Sequence, residues 1–152
     1  MLRLLRYLWA FFPGTMIGLL CVPLAVAGGG RCRVIRGCVE ASGGPVTWFL
    51  RNGLPWIGMW GGAAVTLGHV ILGQNERCLD RSRDHEHVHV RQYERWGPLF
   101  LPAYFGASAW LWCRGRQAYL DNPFEREAFD SVGGPSCEAP PASDREIRTP
   151  HG

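Results

Sequence analysis

The stretch DHEHVHVRQYERWGPLF, residues 84–100, constrains this chain more than any other segment. It places His85, His87 and His89, three of five histidines, within five positions, with Glu86 between the first two. On a helix, His85 and His89 lie four residues apart on one face, so both imidazoles can reach one ion, while His87 points the other way. On a strand, all three histidines share a face. RQYERW is a poor strand centre and a good helix, so a helix is predicted to start from an N-cap at Asp80 or Ser82 and run through Trp96. Gly97-Pro98 should end or kink it.

Two imidazoles on adjacent turns fit a zinc ion, whose Zn–N distance is about 2.0–2.1 Å. Glu86, one step round the helix, is badly placed to be a ligand but well placed to take a proton from a zinc-activated water. Such a centre needs a third protein ligand on another element. NPFEREAFD offers Glu125 and Glu127, about 200° apart on a helix, so one of the two can face the ion. Glu125 is preferred because Ala128, three residues on, permits close packing against the histidine helix; Glu127 is the alternative.

The flanking segments set the organisation. Residues 7–29 carry no charge, and a span needs about 20 apolar residues, so residues 1–30 read as a retained membrane anchor, with a cleaved signal segment as the rival. RCRVIRGCVEASGGP reads as a short β-hairpin around Arg36-Gly37, which a Cys32–Cys38 disulfide could staple. Residues 46–62 read as a packed or membrane-interfacial loop, and AAVTLGHVILG, residues 63–73, as one strand. The uncharged residues 99–113 suit a buried core helix or a membrane-embedded half-helix. Pro123 suits the first turn of the helix that bears Glu125, and the Pro- and Ser-rich residues 132–152 read as a disordered tail.

HEHVH at 85–89 and the E-x-x-A of Glu125 to Ala128 together resemble the gluzincin zinc metallopeptidases, particularly compact single-domain ones. The resemblance covers residues 62–131 and implies an α+β zincin-like metallopeptidase domain over residues 31–131: a short hairpin and edge strand, the HExxH helix and a glutamate helix, after the N-terminal hydrophobic helix. It implies Zn2+ held by His85, His89 and Glu125, with Glu86 as catalytic base, hydrolysis of peptide bonds in a peptide or protein substrate, and a strand at 63–73 that pairs with it. Tyr119 or His69 would stabilise the oxyanion. Two departures stand out. Phe129 replaces the aspartate of the family's E-x-x-[AS]-D pattern, and Ser82, Arg83 and Asp84 are polar where such helices are apolar. A catalytically inactive zinc-binding relative, acting at the membrane by binding peptides, is the alternative. HVHVRQYE is also similar to the cupin metal motif, but Arg81 stands where that motif needs glycine.

The formal charge is +3, with dispersed basic residues that are all arginine, which argues against a nucleic-acid surface and leaves peptide and membrane lipid as expected partners.

Overall fold

The computed structural model describes residues 14–53 and 62–133, which form a small α+β unit. Its centre is a four-stranded sheet, β1 (Arg31–Ile35), β2 (Cys38–Ser42), β3 (Ala64–Leu67) and β4 (Val70–Gly73), in the order β1-β2-β4-β3. The hairpin expected at Arg36-Gly37 is present, with φ of 51° and 83° at those two residues, the backbone of a tight two-residue turn whose twist matches the strands. Residues 63–73 form a second hairpin instead of one strand, because Gly68, at φ 63°, takes the first turn position and sends the chain back antiparallel. β2 and β4 pair in parallel at the centre, and β3 is an edge.

Helices cover both faces. Helix α1 (Met16–Ala27) and α2 (Gly44–Asn52) pack on one face, where Ala25, Val46 and Leu50 meet Ala41, Val70 and Leu72. Gly18 lets α1 lie this close, since a Cβ there would sit 2.5 Å from that of Val70. Helix α3 (Glu76–Trp96) packs on the other face through Leu79 and Val90 against Cys38 and Ile71. β4 is therefore buried on both sides and reads as a continuous apolar run. A 3-10 turn at Gly97–Leu99 leads into α4 (Phe100–Cys113), and α5 (Pro123–Val132) returns to pack on α3. Tyr93, Phe100 and Phe124 knit these three helices together.

Several expectations need correction. Residues 44–52 are helical, where a loop was expected. Helix α3 starts well before Asp80 and Ser82, because Asn75 is the N-cap and accepts from the Cys78 amide at 3.0 Å. Cys32 faces Ala41 and Cys38 faces Ile35 across the hairpin, and both thiols are free. Among the described residues no helix is long and apolar enough to cross a membrane; α1 has 12 residues. The start of the expected anchor, residues 1–13, and nearly all of the expected disordered tail, residues 134–152, lie outside the described residues.

The polar residues ahead of His85 have a structural task. Glu40 on β2 has a fully buried side chain, and Arg83 donates to it from Nε at 2.8 Å and Nη2 at 3.1 Å, with Arg33 adding 2.9 Å. Asp80 bridges the same two arginines, and Asp84 pairs with Arg36 at 2.7 Å. These contacts clamp the first half of α3 to the hairpin. An apolar residue at 83 would leave Glu40 buried and half-compensated.

Candidate metal centre

Helix α3 carries His85 and His89, both buried, toward the side where α5 packs, and Glu86, also buried, toward Thr66 on β3. The opposite side of the helix holds His87, whose Nδ1 is 3.8 Å from the Cys38 sulfur, and burial pushes its pKa down and that of the Cys38 thiol up to about 11. The helical phase thus separates His87 from the other two, as the four-residue spacing requires.

The third member comes from α5. Asn122 caps that helix, accepting from the Phe124 amide at 3.0 Å, and ties it to α4 by donating to the Tyr104 carbonyl and the Ser108 hydroxyl. Glu125 lies in the first turn, where the helix dipole favours a carboxylate. Its side chain reaches His85 Nε2 at 3.2 Å and His89 Nε2 at 3.4 Å, and the two Nε2 atoms stand 3.1 Å apart. Three donors on a tetrahedral zinc ion would be separated by about 3.3 Å at the usual ligand distances. Each histidine meets a different oxygen of Glu125, and one donor atom from each of the three residues falls within 4.8 Å of the others. This buried His/His/Glu group can hold a metal ion. Glu127 instead accepts from Gln92 at 2.9 Å and pairs with Arg95.

Electrostatics bind the group together. Burial opposes a charge on Glu125, but hydrogen bonds from His85 and His89, the His89 charge and the Tyr104 hydroxyl outweigh it and hold the carboxyl well below the usual range. Burial likewise opposes a charged His89, yet the bond and charge of Glu125 push its pKa up to about 9.

Three further residues support the group, and sequence reasoning passed over each. Gln92 is fully buried; its Nε2 donates to the Phe124 carbonyl at 3.0 Å and to Glu127, so its Oε1 must accept from His89 Nδ1 at 2.8 Å. With Nδ1 committed to Gln92, Nε2 is the nitrogen that faces Glu125 and would offer its lone pair to a metal ion. Gln92 lies three residues after His89, a spacing that could have revealed it. Tyr104 donates to Glu125 Oε1 at 2.6 Å, and Thr66 on β3 donates to Glu86 Oε2 at 2.6 Å. A tyrosine in an uncharged run and a threonine in a strand carry no signal of their own.

The Phe129 ring lies tilted against that of His85, with centroids 4.8 Å apart. Tyr119 is half exposed, with its ring 6.0 Å from Phe129, and His69 sits at the β3–β4 turn with Nε2 3.3 Å from Glu94. Comparison with protein-family models, curated proteins and solved structures finds no match to the chain.

Proposed function

We propose that the chain is a zinc-dependent peptidase of the gluzincin type. The observation that carries this reading is the convergence of His85, His89 and Glu125 beside Glu86, with each side chain buried. Two imidazoles and one carboxylate form the donor set that leaves zinc an open position. A zinc ion there would supply Lewis acidity and make water acidic enough to be a nucleophile near neutral pH.

The chain's own residues would do the rest. Thr66 occupies Glu86 Oε2, leaving Oε1 to accept a proton from the attacking water and return it to the departing amine. Gln92 holds His89 in its metal-binding tautomer, and Tyr104 fixes the carboxylate of Glu125. β3, which carries Thr66, is an edge strand, so an extended peptide could add to it and place its carbonyl near Glu86. Incubating the purified chain with a mixed peptide pool and reading new termini by mass spectrometry tests this. Wild-type cleavage abolished by Glu86→Gln supports it, and identical cleavage by both proteins overturns it.

Phe129 favours a second reading, an inactive zinc-binding relative that recognises peptides at the same edge. His85 then has an aromatic neighbour where a carboxylate would orient it. Zinc bound at full occupancy with no cleavage by wild type would select this reading.

A further inference from the structure

The acidic residues are unevenly placed. Residues 41–75 and 95–120 contain no aspartate or glutamate, and neither do residues 1–39. Helices α1, α2 and α4 lie wholly inside these acid-free segments, which carry Arg31, Arg33, Arg36, Arg51, Arg114 and Arg116. The acids of the described helices are confined to α3 and α5, the two that build the metal group.

Exposed apolar side chains follow the same division. Leu20 is 72 % exposed, Trp48 66 % and Trp112 75 %, one each from α1, α2 and α4. On α4 the exposed positions Pro102, Phe105, Ala109 and Trp112 recur at helical spacing, so its outward stripe is apolar along its length. A solvent-facing stripe on a soluble helix is normally polar. The surfaces of α1 and α4 also start from one corner: Gly14, just before α1, lies against the Tyr93 ring, and that ring stands 4.3 Å from Phe100 at the start of α4.

We propose that the outward apolar stripe of α4, together with the exposed face of α1 that starts from the same corner, docks on an anionic phospholipid bilayer. Apolar faces rimmed by arginine and tryptophan match the interface of such a bilayer, where tryptophan sits at headgroup depth and arginine meets lipid phosphate. Arg114 stacks over Trp110 at 4.2 Å, so this rim is already assembled at the end of α4. A second copy is disfavoured, because two such faces would oppose arginine to arginine without an acid to compensate. The metal group and the docking surface then use different helices of one small unit.

The test is co-sedimentation of the full chain with vesicles of phosphatidylcholine alone and with about one third phosphatidylglycerol. Binding to the anionic vesicles, weakened by salt and lowered about tenfold by the double variant Phe105→Ser/Trp112→Ser, is the expected result. Circular dichroism and the melting curve of that variant report whether it is folded, and Leu20→Ser/Leu24→Ser repeats the test on α1. Failure to sediment with either vesicle overturns the proposal, as does unchanged binding by both folded variants. A wild-type dimer that the α4 variant converts to monomer, without vesicle binding, would assign the face to a second copy and also overturn it.

Discussion

Gln92 accepts the Nδ1 proton of His89 at 2.8 Å and passes its own amide protons to Glu127 and to the carbonyl of Phe124, so one buried side chain joins the histidine helix to the glutamate helix. Glu127, which bonds Gln92 and Arg95, thus acts on the group from two hydrogen bonds away. On the Glu125 helix it is the Phe129 ring that lies beside His85, and the polar support of His89 comes from within α3.

Replacing Gln92 with leucine should therefore weaken zinc binding by about ten- to a hundredfold, the usual effect of losing a ligand's orienting partner. It should also cost about 1–3 kcal/mol of stability, because the buried Phe124 carbonyl on α5 loses its donor. Competition against a chelator gives the first quantity and urea unfolding the second. Glu127→Gln should lower the affinity less, since the Phe124 carbonyl still orients the amide.

Thr66→Val removes the hydroxyl that holds Glu86 Oε2 and keeps the shape of the β-branched side chain. Zinc content should be unchanged, whereas turnover should fall about tenfold as the base loses its fixed orientation. A drop in both would mean that Thr66 supports the fold and not the base.

The metal-free protein should lose stability as pH rises. The folded-state pKa of His89, about 9, lies above its ordinary 6.5, so its contribution is complete below the ordinary value and disappears as pH rises through the folded one. Glu125 has the opposite sign: its depressed pKa contributes above its ordinary 4.5 and is lost only as the solution becomes strongly acidic. Melting of chelator-treated protein should thus fall steadily on the alkaline side, and saturating zinc should abolish that fall by replacing the proton. A flat alkaline limb without zinc would show that the His89–Glu125 pair is not charged.

Arg83→Leu should destabilise the fold by about 3 kcal/mol, because it leaves the buried Glu40 carboxylate with Arg33 alone. Adding Glu40→Gln to that variant should recover part of the loss. Urea unfolding of the two variants measures both effects.

What was legible in the sequence divides along physical lines. The Arg36-Gly37 hairpin and the Gly97 end of α3 were readable because local backbone geometry decides them. The convergence of His85, His89 and Glu125 was readable because a four-residue spacing and a small residue at Ala128 fix faces on helices. The N-cap was misplaced because residues 76–83 looked like a polar connection, and their charges are explained only by Glu40, distant in sequence and brought near by the sheet. The segment 63–73 was read as one strand because its apolar run hides a turn that Gly68 alone marks. Thr66, Gln92 and Tyr104 gain their meaning from partners on other elements, which no periodicity encodes.

The most direct measurement is the zinc content of the purified chain beside His89→Ala and His87→Ala. The account requires about one zinc per chain in wild type, lost in His89→Ala and kept in His87→Ala, whose ring lies on the Cys38 side of the helix. No zinc in wild type, or equal loss in both variants, would contradict it.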